Sequence, residues 1–218
     1  MGRVSKGLTR DQVVRAALDL LDEVGLDDLT MRALAARLDV KAAALYWHVR
    51  SKADLVDEMG TALWREALGA LPARSPADRP DDLLVAFAGT LRATLLSHRD
   101  GARLFAGTYL TDVTVLEAQE PLLAALVDGG VDLDTAVEVS TVLYAFTVGA
   151  TIEEQAVRQA RSSGDARYDL PERERRLDAE RFPLVTAAGR LSFPDPATRF
   201  DRAVRRLVAS FDGWSTRA

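Results

Sequence analysis

Apolar residues recur along most of this chain at spacings of three and four, the period of a helix with one buried face. The first run opens at Thr9, whose hydroxyl stands three residues before Gln12, a pair able to cap a helix reciprocally. Val13, Val14, Ala17, Leu18, Leu21 and Val24 then share a face, and Gly25 is the expected stop. A second, shorter helix is predicted after Thr30; it turns Met31, Leu34, Ala35 and Leu38 inward and ends near Asp39. A third is predicted from about Lys41 to Val49, and a fourth opens at the cap-type residue Ser51 and buries Leu55, Val56, Met59 and Leu63. No window reads as a strand, so the expected fold class is all-α.

Beyond these, Pro72, Pro76 and Pro80 mark Leu71 to Pro80 as a connection. The expected division is a small head, residues 1–54, and a larger helical domain, residues 55–218, with the fourth helix shared between them. Leu84, Phe87, Ala88, Leu91 and Leu95 form another helical stripe, followed by a glycine-punctuated stretch in which Gly101 and Gly107 suggest a hinge. Val139 to Ile152 is a run of fourteen uncharged residues, mostly apolar all round. Roughly twenty would be needed to span a bilayer, so a buried helix is expected and no membrane association. Such a helix is either an ordinary core element or one covered on its second side by another subunit. Phe200, Val204, Leu207, Val208 and Phe211 repeat at the same period in a last helix that could complete a four-helix dimer interface. The mixed-charge run from Arg161 to Arg181 reads as a mobile, solvated loop.

Composition narrows the function. The 218 residues suffice for a sizeable core without a metal or a disulfide, and there is no cysteine, which removes thiol chemistry and suits a reducing compartment. The polar first residues offer no signal sequence, so the expected location is the cytoplasm. A net charge of -5 argues against a protein that coats nucleic acid, yet from Arg3 to Lys52 nine Lys/Arg face seven Asp/Glu. No nucleophile-base pattern, phosphate loop or metal-ligand spacing occurs, so no catalytic residue, cofactor or metal is assigned and an enzyme is not expected. His98, beside Arg99 and Asp100, reads as structural.

Leu29 to Lys52 is the informative stretch. Two short helices around the turn Leu38-Asp39-Val40 have the size and punctuation of a helix-turn-helix, which presents its second helix to the DNA major groove. Ala42, Ala43 and Ala44 would let that helix approach closely; their methyl groups can meet thymine methyls but cannot hydrogen-bond, so specificity must come partly from elsewhere. The segments LTMRALAARLDV and LYWHVRSK resemble the DNA-binding signature of the tetracycline-repressor (TetR) family. LLSHRDGAR at Leu95 to Arg103 and FTVGATIEEQ at Phe146 to Gln155 resemble the ligand-binding domain of the tetracycline repressors.

The resemblance implies that Arg32 reads a base, that Lys41, Ala42, Ala43 and Ala44 face the groove, and that Tyr46, Trp47, His48 and Lys52 hold phosphates, with Thr30 touching phosphate at its helix terminus. Tyr46 and Trp47 could instead be half-buried structural aromatics. The family's drug-anchoring and magnesium-binding histidines fall on Leu68 and Phe105 here, and only Glu153 keeps a metal-linked carboxylate position, so neither magnesium nor tetracycline is expected. Trp64, Leu68, Phe87, Leu91, Phe105, Tyr109, Tyr144 and Thr147 would then line an apolar, aromatic pocket; the alternative is that each is plain core. The implied partners are double-stranded operator DNA, a small apolar or aromatic inducer and a second copy of the chain; the implied function is a ligand-released repressor. An activator, or a regulator without a ligand, is the alternative on the same fold.

Overall fold

A computed structural model describes residues 7–73, 79–193 and 195–211. Eleven α-helices and one 3-10 turn carry the described residues, joined by loops and turns. They pack as two compact units. The first comprises residues 1–72 with 90–122, the second residues 73–89 with 123–218.

The first unit begins with α1 (Arg10–Val24), α2 (Met31–Arg37), α3 (Ala42–Leu45) and α4 (Lys52–Gly69). The cap expected at Thr9 is present in both directions: its hydroxyl accepts from the Gln12 N–H at 3.2 Å, while its own N–H donates to the Gln12 side chain at 2.9 Å. Gly25 ends α1 with φ +84° and an N–H to Leu21 O at 2.8 Å, the left-handed stop that a residue without Cβ makes readily. Val13, Ala17, Leu21, Leu34, Leu45, Leu55, Met59 and Leu63 are buried together with Leu29. Leu18 is only half-buried; Leu20 takes the inward position instead.

The third helix differs most from expectation. Regular α3 spans four residues, and the chain then coils through a turn in which both His48 N–H and Val49 N–H donate to Leu45 O, at 2.9 and 3.0 Å. Aromatic and β-branched residues at 46–49 have modest helix propensity, and Ser51 must be free to cap α4, which it does by accepting the Asp54 N–H at 3.0 Å.

In the second unit, α5 (Pro80–Leu96) contributes its first half, and α7 (Thr114–Asp128) its last turns. α6 (Gly101–Phe105) stays with the first unit. α8 (Leu133–Ser162), capped by Asp132 at 3.0 Å to Thr135 N–H, is the longest element. With α11 (Pro196–Phe211) it builds a core of Leu84, Ala88, Leu126, Ala136, Val139, Leu143, Phe200, Val204 and Val208. The Phe146 and Phe200 rings stack there at 5.6 Å. By length and composition alone α8 could cross a membrane, but its Ala136, Val139, Leu143, Thr147, Val148 and Thr151 are buried within this helical unit.

Residues 161–181 correct the expectation of a loose loop. A 3-10 turn, Ala166–Tyr168, leads into α9 (Leu170–Arg175), and α10 (Pro183–Ser192) follows. Charges that suggested solvation pair with one another, Arg161 with Asp169 at 3.2 Å and Arg167 with Asp165 at 2.7 Å, and Glu174 is held by Arg190 at 2.6 Å. Pro171 sits in the first turn of α9, where its missing N–H costs nothing. The hinge reading of Gly101 also changes, since a Cβ there would lie 2.4 Å from Leu95 O; this glycine permits close packing. Gly107, at φ +74° with open space around it, serves a turn.

Candidate nucleic-acid interface

Four residues, 38–41, turn the chain from α2 into α3. Val40 N–H donates to Ala35 O at 3.0 Å and Asp39 N–H to Ala36 O at 3.2 Å, the paired bonds that close a helix C-terminus around a left-handed residue. That residue is Asp39, at φ +53°. Aspartate tolerates this conformation better than most side chains. Thr30 caps α2 through its hydroxyl, which accepts the Ala33 N–H at 3.1 Å, so Met31 begins a helix whose N-terminal dipole lies at the surface.

The outward residues of this unit divide sharply. Arg37 is engaged, donating to both oxygens of Glu23 at 2.7 and 2.8 Å, and this bond raises its pKa further. Arg32, on the same helix, is exposed and has no ion pair or side-chain hydrogen bond among the described residues, and neither does Lys41. Lys52 is exposed and lends its ammonium to Leu26 O at 3.4 Å, a long bond that leaves capacity for an anion. Tyr46 is 53% exposed and Trp47 88%, so the alternative of half-buried structural aromatics fails for Trp47. Ala42 and Ala43 are exposed, while Ala44 and His48 are half-buried. The surface thus offers unengaged cations, a phenol, an indole and small methyl groups on one short helix and its flanks. Those are the groups that contact phosphates and base edges.

A second polar cluster ties α1 and the residues after it to the segment around the start of α6, in line with the structural reading of His98. Asp22 accepts Arg99 N–H at 2.8 Å and lies 3.0 Å from His98 Nδ1. Arg99 donates to Glu23 O at 2.9 Å, and Arg103 pairs with Asp27 at 3.1 Å. At the centre, Asp100 is buried at φ +57° and accepts the Leu26 N–H at 3.0 Å. The partners stand more than seventy positions apart, so no local spacing could have revealed them.

Of the residues read as a ligand pocket, Trp64, Leu68, Leu91 and Phe105 are buried in the first unit, with the Trp64 and Phe105 rings 5.3 Å apart. Tyr109 in the same unit is 74% exposed; its backbone N–H is fixed by Asp57 at 3.0 Å. Phe87 and Thr147 are buried and Tyr144 half-buried in the second unit. Burial pushes the Tyr144 phenol up, so it stays protonated at neutral pH. Thr147 Oγ1 is buried without a hydrogen-bond partner. Leu68 and Phe105 carry no donor atom for magnesium, and Glu153 is exposed, so the residues present do not fit the metal site of the tetracycline repressors.

Two family descriptions match the chain: bacterial regulatory proteins of the tetR family over residues 13–59, and the tetracyclin repressor-like C-terminal domain over residues 72–209. The chain is 42% identical over 149 residues to the class A tetracycline repressor of transposon 1721 from Escherichia coli, an alignment covering 68% of each protein. A possible TetR family transcriptional regulator from Streptomyces coelicolor A3(2) superposes with a TM-score of 0.82 at 33% identity, covering 94% of this chain and 99% of the other. The S. coelicolor TetR family protein ActR, solved in complex with actinorhodin, superposes at 0.81 with 27% identity, covering 97% and 99%. With its helix-turn-helix and its C-terminal domain both matched, the chain belongs to the TetR family of bacterial transcriptional regulators, DNA-binding repressors that respond to small molecules.

Proposed function

We propose that the chain acts as a homodimeric repressor that grips a palindromic operator and is released by a small apolar or aromatic inducer other than a tetracycline-magnesium complex. The observation that carries this reading is the contrast within α2 and α3: Arg32 and Lys41 have no protein partner among the described residues, whereas Arg37 beside them is bound. Unspent cations beside exposed Tyr46 and Trp47 suit phosphate and base contacts. Arg32 is assigned to a base edge; Lys41, Ala42, Ala43 and Ala44 to the groove; and Thr30, Tyr46, Trp47, His48 and Lys52 to the backbone, all within a reading head of residues 1–54.

Dimerisation is supported by the outward apolar residues of the second unit, including Leu133 and Val137 on α8 and Leu184 and Leu191 on α10, the last two 82% and 75% exposed. A two-fold dimer would set its recognition helices about one DNA turn apart, roughly 34 Å. The buried set Trp64, Leu68, Leu91 and Phe105 supplies an apolar wall for the inducer, and the same proposal for Phe87, Tyr144 and Thr147 rests on the same chemistry. A ligand that prefers the off-DNA state would move α4, which carries Lys52 at one end and Trp64 and Leu68 further along. Typical coupling of this kind is about 1–3 kcal/mol. The cytoplasm is the compartment in which such a regulator meets DNA.

Sedimentation and operator selection from random duplexes test the reading together. A dimer that enriches an inverted repeat is expected; a monomer at micromolar concentration, or no enriched sequence, overturns it. An inducer is then sought by thermal shift, because a ligand of the folded state raises its stability.

A further inference from the structure

A cavity of about 240 Å³ opens at the C-terminal end of α8, within the second unit. Its walls include Val157, Tyr168, Phe193, Pro196, Glu153 and Arg199. Two further guanidinium groups line it, but both are neutralised. Arg158 pairs with the buried Glu154 carboxylate at 2.5 Å, and Arg161 pairs with Asp169 at 3.2 Å. Glu153 and Arg199 are different. Both are exposed, and among the described residues neither side chain has an ion pair or a hydrogen bond, with its opposite number across the cavity or with anything else.

One lone anion and one lone cation therefore line a single hollow with two aromatic rings between other apolar walls. Because they do not bond to each other, a guest that satisfies both carries an anionic and a cationic group of its own. We propose that this cavity binds a small amphoteric aromatic molecule, with its carboxylate on Arg199, its ammonium on Glu153 and its ring against Phe193 and Tyr168. The guanidinium fork matches a carboxylate, and aromatic faces hold a flat ring in offset or edge contact. Drug-sized ligands occupy about 300–1,000 Å³, so a hollow of this size suits a single ring with short substituents.

Calorimetric titration of the full chain with 4-(aminomethyl)benzoate, benzoate and benzylamine tests the assignment. The zwitterion is expected to bind about tenfold more tightly than either singly charged probe, a difference of about 1.4 kcal/mol. Arg199→Gln should lower its affinity to that of benzylamine, Arg199→Lys should recover part of the loss, and Glu153→Gln should lower it to that of benzoate. Circular dichroism confirms that the variants fold, as surface positions allow. Equal affinities for the three probes, no saturable binding, or unchanged affinity in both glutamine variants overturns the proposal. Operator binding by the same variants should match the parent chain, so failure here and failure of the repressor reading are separately visible.

Discussion

Two groups of charged residues in the first unit have opposite characters. At the corner of α1 and the segment leading into α6, Asp22, Asp27, Arg99, Asp100 and Arg103, together with the Glu23 backbone carbonyl, engage one another's hydrogen-bonding groups or those of the adjoining backbone. On α2 and the start of α3, Arg32 and Lys41 stand unengaged. The difference offers a way to separate charges that build a fold from charges proposed to read a partner: the first are already paired, the second keep their donors. Arg37 shows that position on a helix does not decide the matter, since it shares α2 with Arg32 and belongs to the first class.

Substitutions should break the two clusters in different observables. The largest effect is expected from Asp100→Ala, which leaves the Leu26 N–H without its acceptor and puts alanine in a left-handed conformation. Chemical denaturation should show a loss of about 3 kcal/mol, because a hydrogen bond to a charged, buried group is removed. Next comes Arg32→Ala, with unfolding unchanged but base discrimination relaxed by about 2 kcal/mol at one operator position, as competition between operator variants would show. Gly25→Ala should cost about 1–2 kcal/mol of stability, since φ is +84° there and the new Cβ would lie 3.0 Å from Asp100 Oδ2. Lys52→Gln is expected to weaken binding to every duplex alike and to reduce the salt slope of log K by about one unit. Arg37→Ala is the smallest change: a slightly lower melting temperature and an unaltered salt slope. If Arg37→Ala weakened DNA binding as much as Arg32→Ala, the distinction between paired and reading cations would collapse.

The helix-turn-helix was legible because its information is local. The caps at Thr9, Thr30 and Ser51, the stop at Gly25 and the apolar spacing between them depend on neighbours within four residues. The length of the third helix was not legible, since propensity across Tyr46 to Val49 is weak and the entry into α4 decides where the turn falls. The ordering of residues 161–181 was hidden for another reason: composition registers charges but not their mutual pairing, and Arg161 with Asp169 only becomes visible in three dimensions. Within the proposed pocket set, burial of Trp64 and Phe105 follows their apolar character, whereas Tyr109 is exposed and its backbone is held by Asp57, a long-range bond that no local pattern encodes.

The contrast between Trp47, 88% exposed, and Trp64, 8% exposed, provides a pair of natural fluorophores in very different surroundings. With Trp214, outside the described residues, replaced by phenylalanine, the emission of the chain resolves into a red component from the solvated indole and a bluer one from the shielded indole. Iodide should quench only the former, and added duplex should protect it, so an optical titration without labels would follow the head while the second indole watches the interior.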